Sequence, residues 1–246
     1  MTSLKPELEP INGDTVVYDV IVVGAGFAGM YMLHELRKTG LNVLVLEEAT
    51  GVGGTWYWNR YPGARCDVES MEYSYSFSEE LQQEWNWSHR FSTQPEILEY
   101  ANHVADRFDL RRHIKFQTRV SSVKYDQHKQ KWLLESSSKE EFQSRFCVMA
   151  TGTLSSVNEP KFKGIKEYQG EWYITGRWPH DGVDFSGKTV GIIGTGSTAV
   201  QAIPVIAKEA KHLTVFQRTA NYSIPAKNRP LIDSEVEGVK SRYSEI

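Results

Sequence analysis

The stretch Tyr-Asp-Val-Ile-Val-Val-Gly-Ala-Gly-Phe-Ala-Gly at residues 18–29 decides the fold of this chain of 246 residues. Its first half, residues 18–23, is rich in β-branched apolar side chains, which is typical of a buried parallel strand. Residues 27–39 carry apolar side chains at the 3.6-residue spacing of an amphipathic helix. The turn between these two predicted elements contains three glycines in the spacing G-x-G-x-x-G, namely Gly24, Gly26 and Gly29. In this context the motif predicts a dinucleotide site.

Each glycine of this turn has its own task in such a site. Gly24 permits the tight turn, Gly26 lets the backbone approach a pyrophosphate, and Gly29 lets the helix pack closely on the strand. The free N–H groups at the helix N-terminus then face the phosphate oxygens. Residues 41–48, "LNVLVLEE", predict the next strand, and Glu47 at its end follows Gly26 by 21 residues. A carboxylate at about this spacing binds ribose hydroxyls, but FAD and NAD both use this unit, so the turn alone leaves the ligand open.

A second turn of the same kind occurs at residues 191–199, "GIIGTGSTA". An apolar strand over Thr189–Ile193 leads into Gly194–Gly196, and Ala199 takes the third small position in the helix that follows. The next predicted strand, residues 212–217, ends beside Arg218 instead of a carboxylate. The planar guanidinium group of arginine pairs with a 2′-phosphate, which a carboxylate would repel. The second unit is therefore predicted to bind NADP rather than NAD.

Composition excludes several classes of function. The net charge of −3, with acidic and basic residues interspersed, provides no basic stripe for nucleic acid. The N-terminus lacks the pattern of a signal peptide, and the most apolar stretch, residues 20–33, is too short to span a bilayer, so we expect no membrane partner and a cytoplasmic location. Cys66 and Cys147 lie far apart, and the histidines show no ligand spacing. We therefore expect two reduced thiols and no metal site.

The residues after the first unit carry a family resemblance. The run "GGTWYWNRYPGARCDVES" at residues 53–70 resembles the Baeyer–Villiger flavin monooxygenases, whose pattern G-G-x-W, Tyr/Phe-Pro-Gly and Asp is matched by Gly53, Gly54, Trp56, Tyr61, Pro62, Gly63 and Asp67. Further similarity runs through "SYSFSEE", "QEWNW", "FSTQPEILEY" and "WPHDGVDFSGKTVGIIGTGS". The resemblance extends from Tyr18 to Pro225, and by pattern it is greatest to the phenylacetone monooxygenase branch.

This resemblance implies an α/β protein with two Rossmann-like dinucleotide-binding domains. Residues 1–155 would form the N-terminal part of an FAD-binding domain, and residues 156–246 the first part of an NADP-binding domain. The polar C-terminal stretch predicts a helix starting near Asp233 and no further strand, so both sheets are expected to be incomplete. We therefore expect the chain to be the N-terminal portion of a monooxygenase, with weak FAD binding and little oxygenation on its own.

The resemblance also implies the chemistry. NADPH would reduce FAD, and O2 would add to the reduced flavin to give a C4a-peroxyflavin. Its attack on a ketone carbonyl would insert one oxygen atom beside that carbonyl and give an ester or a lactone. The implied partners are a small-molecule ketone and O2, while the identity of the ketone and the oligomeric state cannot be inferred from the sequence.

The site residues follow from the two motifs and the resemblance. Asp67 matches the family acid that orients an active-site arginine, and Arg65 lies in the segment that touches the nicotinamide side. The expected contacts around FAD are Gly24, Gly26, Phe27, Ala28, Gly29, Glu47, Gly54, Thr55, Trp56, Asp67, Tyr73, Val120, Ala150, Thr151 and Gly152. The expected contacts around NADP are Gly194, Thr195, Gly196, Ser197, Thr198, Ala199, Arg218 and Thr219.

The sequence departs from the family in one motif. The family fingerprint F-x-G-x-x-x-H-x-x-x-W-P/D falls on residues 168–179, where Ile174 replaces the histidine. In the family, that histidine lies on the linker that couples NADPH binding to domain motion. Isoleucine neither donates a hydrogen bond nor changes protonation state, so we expect this coupling to be less efficient here. His180 either takes over that role or is an ordinary surface histidine.

Two other functions remain open. One is an N- or S-oxidising flavin monooxygenase, which shares both turns; the other is a non-catalytic fragment that binds FAD and NADP. Residues 136–144, "SSSKEEFQS", are expected to form a solvated hairpin turn between two strands.

Overall fold

The computed structural model describes residues 17–154 and 156–245. They divide into two compact units. The first contains the chain up to Gly54 together with Ala105–Thr153, and the second contains Thr55–Val104 together with the chain from Leu154 onward. No helix in the described part of the chain is long and apolar enough to cross a membrane. The predicted α/β fold with two nucleotide-binding units is confirmed.

The first unit contains a six-stranded mixed sheet. In chain order its strands are β1 (Val17–Val23), β2 (Val43–Leu46), β3 (Ile114–Lys115), β4 (Val120–Asp126), β5 (Lys131–Ser136) and β6 (Glu141–Met149). Their spatial order is β3-β2-β1-β6-β5-β4. The neighbouring strands β3, β2, β1 and β6 are parallel to one another, whereas β5 is antiparallel to both β6 and β4. Parallel strands need crossover connections, and helix α1 (Phe27–Lys38) provides the one from β1 to β2.

Apolar side chains of the central strands form the core of this sheet. Ile21, Val23 and Leu46 pack with Leu134 and Phe142 across four strands. Burial of each such side chain contributes about 1.5–3 kcal/mol to folding. Because β1 and β2 are covered on both faces, they read as continuous apolar runs, which explains why the sequence predicted them.

The predicted solvated turn over residues 136–144 was too long. The turn that joins β5 to β6 spans only residues 137–140, and β6 begins at Glu141. Phe142 and Ser144 lie on the same face of β6, and both are buried. The alternation of Phe142 and Ser144 with Glu141 and Gln143 is a strand period, which the polar character of the segment concealed.

The second unit contains a parallel pair of strands, β7 (Thr189–Ile193) and β8 (His212–Phe216). Its helices, in chain order, are α2 (Thr55–Trp58), α3 (Glu79–Glu84), α4 (Gln94–Arg107, which ends in the first unit), α5 (Ser197–Glu209) and α6 (Asp233–Lys240). Three short 3-10 turns lie at Ile165–Glu167, Thr175–Arg177 and Tyr243–Glu245, and one in the first unit at Arg111–His113. Helix α5 packs on the strand pair through a cluster of buried side chains: Trp178, Phe185, Ala202 and Ile206.

The segment before α6 pairs with an extended segment near α3. The Asn228 side chain donates to the Phe91 carbonyl and accepts from the Phe91 N–H, at 3.1 and 2.9 Å. The N–H groups of Arg90 and Leu231 donate to the carbonyls of Arg229 and Ser88. The C-terminal region is therefore fixed to residues 88–91 by backbone pairing that the sequence did not predict.

Aromatic side chains fill the space between α3 and α4. Tyr100 is only 1% exposed, and its phenol oxygen accepts the N–H of Tyr75 at 2.9 Å. Trp85 and Trp87 pack against the Tyr100 ring, with centroids 5.1 and 5.0 Å away. Burial raises the pKa of Tyr100 from its ordinary value of 10.0 to about 12, and burial raises the pKa of Tyr75 as well.

This burial predicts a loss of stability in alkali. Because the folded-state pKa of Tyr100 lies above its unfolded value, its contribution to stability is complete below pH 10 and is lost as the pH rises towards about 12. Over that range we expect the free energy of unfolding to fall by about 2 kcal/mol through Tyr100. Denaturant unfolding at a series of pH values measures this change, and Tyr100→Phe should make the fall smaller by about that amount while the contribution of Tyr75 remains. The fully exposed Tyr222 provides the control, because Tyr222→Phe should leave the profile unchanged.

Candidate nucleotide-binding sites

The first glycine turn closes over the end of β6. Gly24 has a φ of +104°, its N–H donates to the Leu46 carbonyl at 2.8 Å, and a Cβ there would lie 2.6 Å from the Ala150 carbonyl oxygen. A Cβ on Gly29 would lie 1.8 Å from the carbonyl oxygen of Gly24. Larger residues are therefore excluded from both positions by the backbone of the first unit itself, as the motif predicts.

Gly26 and Gly54 bring two backbone segments face to face. A Cβ on Gly54 would lie 2.9 Å from the Gly26 Cα, and the Gly53 N–H donates to the Ala25 carbonyl at 3.1 Å. Gly26 is also the N-cap of α1, and no side chain of the described residues caps that helix. The two backbones therefore approach each other without side chains beside a helix N-terminus, whose free N–H groups favour an anion such as a pyrophosphate.

Glu47, predicted to bind ribose hydroxyls, holds the turn itself. Its carboxylate is 5% exposed and accepts the N–H of Ala25 at 2.6 Å through Oε2 and the N–H of Ala49 at 2.8 Å through Oε1. Each carboxylate oxygen has two acceptor sites, so capacity for ribose hydroxyls remains on both. The structural role was missed because it depends on backbone donors that the sequence does not reveal.

We expect Glu47→Gln to destabilise the first unit. The amide NH2 of glutamine would face the N–H of either Ala25 or Ala49, so one of the two hydrogen bonds would become a contact between donors. The loss should be about 1–3 kcal/mol in the free energy of unfolding, measured with urea.

Glu48→Gln is the matched control. Glu48 is exposed and pairs with exposed Arg119 at 2.9 Å, and breaking such a surface ion pair costs less than about 1 kcal/mol. Equal losses for the Glu47 and Glu48 variants would contradict a structural role for the Glu47 carboxylate.

The other predicted FAD contacts of the first unit follow the strand ends. Phe27 and Ala28 form the first turn of α1, while Ala150, Thr151 and Gly152 follow β6, and the Ala150 N–H donates to the Val23 carbonyl at 2.9 Å. Val120 begins β4 and packs against the core of the sheet. Val120 therefore has a packing role, and its contact with a flavin stays a prediction.

The second glycine turn repeats this geometry between β7 and α5. Gly194 has a φ of +109°, and its N–H donates to the Phe216 carbonyl at 2.9 Å. Gly196 is the N-cap of α5, and apart from its neighbours in the chain no atom of the described residues lies within 4 Å of the position that a Cβ would take there. Open space at this glycine leaves room for a ligand to approach the backbone. Three further predicted contacts form the first turn of α5: Ser197, Thr198 and Ala199.

Arg218 lies just beyond the end of β8 and is exposed. No hydrogen bond or ion pair among the described residues engages its guanidinium group. The loop around it is ordered by Thr195, whose hydroxyl accepts from Gln217 Nε2 at 2.9 Å and from Asn221 Nδ2 at 3.0 Å. Asn221 Nδ2 and the Thr195 hydroxyl both reach the Thr219 carbonyl, at 3.4 and 3.5 Å. The glycine turn and the loop that carries Arg218 are therefore tied together by contacts that sequence reasoning missed.

Trp56, which is buried, and Tyr73, which is half-buried, are both predicted flavin contacts and form a pair in the second unit. Trp56 Nε1 donates to the Tyr73 hydroxyl at 2.9 Å, and the rings meet edge to face at 5.8 Å. The Gln94 side chain, also buried, donates to the Trp56 carbonyl. Burial raises the pKa of Tyr73, which remains a neutral hydrogen-bond partner at neutral pH. Thr55 begins the helix that carries Trp56. Gln94 was missed because its partner is a backbone carbonyl 38 residues away.

Arg65 and Asp67, the predicted catalytic residues, flank a buried cysteine. Arg65 is half-buried and its Nε donates to the Gly63 carbonyl at 3.3 Å, whereas Asp67 is exposed. Cys66 is a free thiol, and burial raises its pKa. The described residues contain no group of three or more His, Cys, Asp or Glu side chains that could hold a metal ion.

Ile174 and His180, the residues that bear on the altered family fingerprint, have different surroundings. Ile174 is half-buried at the start of a 3-10 turn. His180 is exposed, and its ring lies 5.3 Å from Tyr57 and 6.2 Å from Trp58. His180 therefore packs in a cluster of aromatic rings with Tyr57 and Trp58. That it takes over the role of the family histidine stays a prediction.

Comparison with known proteins assigns the family. The family model for pyridine nucleotide-disulphide oxidoreductases matches residues 21–244. The chain belongs to this family.

Relatives within the pyridine nucleotide-disulphide oxidoreductase family confirm the resemblance to Baeyer–Villiger monooxygenases. A Baeyer–Villiger monooxygenase from Pseudooceanicola batsensis is 50% identical over 230 residues, which are 93% of this chain and 42% of that protein. A phenazine N-monooxygenase from Lysobacter antibioticus is 45% identical over 237 residues, 96% of this chain and 44% of that one. The chain thus spans less than half the length of these relatives.

Solved structures agree with the fold. An oxidised steroid monooxygenase bound to NADP superposes with a TM-score of 0.90 at 58% identity, over 94% of this chain and 44% of that one. The complex of OTEMO with FAD and NADP gives a TM-score of 0.88 at 43% identity, over 93% of this chain and 44% of that one.

Proposed function

We propose that this chain binds FAD at its first glycine turn and NADPH at its second, as part of a Baeyer–Villiger monooxygenase. Such an enzyme inserts one oxygen atom of O2 beside the carbonyl of a small-molecule ketone and releases an ester or lactone. The observation that carries this proposal is the pair of βαβ units with unlike ribose ends: a buried carboxylate, Glu47, at one and an exposed arginine, Arg218, at the other. Two different nucleotides in one chain fit a hydride donor and its acceptor.

The first site suits a dinucleotide without a 2′-phosphate. The uncapped start of α1, beside the closely packed Gly26 and Gly54 backbones, would offer N–H groups to a pyrophosphate. Glu47 would accept ribose hydroxyls while it holds the Ala25 and Ala49 N–H groups. A 2′-phosphate would meet this buried negative charge, so repulsion disfavours NADP at this site.

The second site suits NADPH. The uncapped start of α5 offers N–H groups to the pyrophosphate, and the loop ordered by Thr195 presents Arg218 for a 2′-phosphate. Because no other group among the described residues engages the guanidinium, it forms this pair without giving up an internal one.

The remaining motif residues would act around the reaction. When bound, the flavin supplies the oxygen and electron-transfer chemistry. Trp56, held by Tyr73 and Gln94, would close an apolar wall that excludes water. Asp67 would orient a cationic group, and Arg65 would contact the nicotinamide side, as the family resemblance implies.

Arg218→Ala tests the choice of nucleotide. Loss of a charge-assisted pair with the 2′-phosphate should weaken NADPH binding by about 10-fold or more. NADH lacks that phosphate, so its dissociation constant should change by less than about threefold. Isothermal titration with both nucleotides measures the ratio.

Lys211→Ala is the control, because it removes an exposed positive charge from the same unit without touching the end of β8. Equal losses of NADPH and NADH binding in Arg218→Ala would contradict the assignment of Arg218.

A chimaeric enzyme tests the reaction. In it, this chain replaces the matching part of the monooxygenase from Pseudooceanicola batsensis. We expect a flavin absorbance spectrum, NADPH oxidation that depends on a ketone, and an ester identified by mass spectrometry. The same chimaera with Asp67→Ala should retain FAD and lose ester formation. A chimaera that binds FAD and NADPH but forms no ester from ketones that the parent enzyme converts would overturn the proposal.

N-oxidation is the second candidate, favoured by the 45% identity to the phenazine N-monooxygenase. The same chimaera, offered an aromatic N-heterocycle and a ketone together, separates the two reactions. An N-oxide as the sole product would support this second candidate.

A further inference from the structure

The side chain of Gln201 joins α5 to the turn that precedes Asp67. Its Oε1 accepts the hydroxyl of Tyr61 at 2.9 Å and the N–H of Arg65 at 3.3 Å, and its Nε2 donates to the Arg65 carbonyl at 3.1 Å. One carboxamide thus uses both of its polar ends on a segment about 140 residues away in the chain. All of these groups belong to the second unit.

The backbones of the two segments also meet closely at this point. A Cβ on Gly63, whose φ is +79°, would lie 2.3 Å from the Gln201 carbonyl oxygen. Burial raises the pKa of the Tyr61 phenol, and the Thr198 side chain, one turn earlier in α5, opposes that shift. Residues 61–65 therefore lie against the first two turns of the helix whose N-terminus faces the proposed NADP phosphates.

We propose that Gln201 is a positioning residue that sets the place of Arg65 and Asp67 relative to the nucleotide-binding start of α5. This inference rests on the proposed function, since it assumes that NADP occupies that helix start. Gln201 itself is four residues beyond Ser197, the first residue of α5, so it lies behind the phosphate-binding end. It acts through the backbone of Arg65, which it fixes from both the N–H and the carbonyl side.

The expected consequence is a selective loss of affinity. Adenosine 2′,5′-bisphosphate carries the two phosphates that α5 and Arg218 would bind, but it has no nicotinamide. NADP+ has both phosphates and also reaches the turn at Arg65 under the proposed function. Without Gln201, the turn is misplaced while the start of α5 is intact, so only NADP+ loses contacts. A merely structural role would weaken both ligands together.

The experiment compares Gln201→Met with the unaltered chain. Methionine keeps the length of the side chain and removes both polar groups. Isothermal titration should show a 5- to 10-fold weaker binding of NADP+, which is about the worth of one to two lost hydrogen bonds, and less than a twofold change for adenosine 2′,5′-bisphosphate. Hydrogen exchange of the Arg65 amide should speed up in the variant. Lys208→Met, an exposed position on the same helix, should change none of these values.

Tyr61→Phe provides a second variant that removes only one of the three hydrogen bonds. It should weaken NADP+ binding about twofold and leave adenosine 2′,5′-bisphosphate unaffected, so the inference stays testable even if Gln201→Met fails to fold. Equal losses for both ligands, or no loss for either, in a folded variant would overturn the role of Gln201 alone. If the unaltered chain binds neither ligand, the proposed function fails and this inference fails with it.

Discussion

The two N–H groups of Ala25 and Ala49 share one buried carboxylate, that of Glu47, and the geometry of the first glycine turn depends on this arrangement. Hydrogen bonds to a charged acceptor in a buried site are stronger than neutral ones, and an unpaired N–H there would cost about 1–3 kcal/mol. The same carboxylate fixes the end of β2, so the strand, the turn and the start of α1 form one rigid piece. A phosphate-binding turn gains affinity from such rigidity, because no ordering entropy is left for the ligand to overcome.

Under the proposed function, the two nucleotide units use opposite strategies at their ribose ends. The first buries the Glu47 carboxylate and satisfies it with backbone N–H groups, whereas the second leaves Arg218 in solvent, with no partner among residues 17–154 and 156–245. Two neutral hydroxyls need only an acceptor that is already in place. A 2′-phosphate carries its own strong charge and can draw an exposed arginine into contact, so the second unit orders only the loop around Arg218, through Thr195.

Much of the fold could be predicted because its signals are local. The glycine spacing, the apolar strands and the period of α1 and α5 each lie within a few neighbouring residues, and β7 was predicted at its observed bounds, Thr189–Ile193. The contacts of Gln94 and Gln201 could not be predicted in this way, because a glutamine carries no signal in the sequence of the distant backbone group that it binds. The predicted turn over residues 136–144 was too long for a related reason. Serine and glutamine side chains read as solvated, yet Ser136 and Ser144 are buried where the sheet supplies their surroundings.

The pairing of Asn228 with Phe91 has a consequence for the solubility of the chain. An extended segment with open N–H and carbonyl groups is a template for pairing with another molecule. The Asn228 side chain pairs with both the N–H and the carbonyl of Phe91, as a neighbouring strand would. The backbones of Arg229 and Leu231 pair with Arg90 and Ser88 in the same segment. Residues 228–231 thus serve as an internal shield for that edge, and a shorter piece of the chain that ended before Asn228 would expose it to intermolecular association.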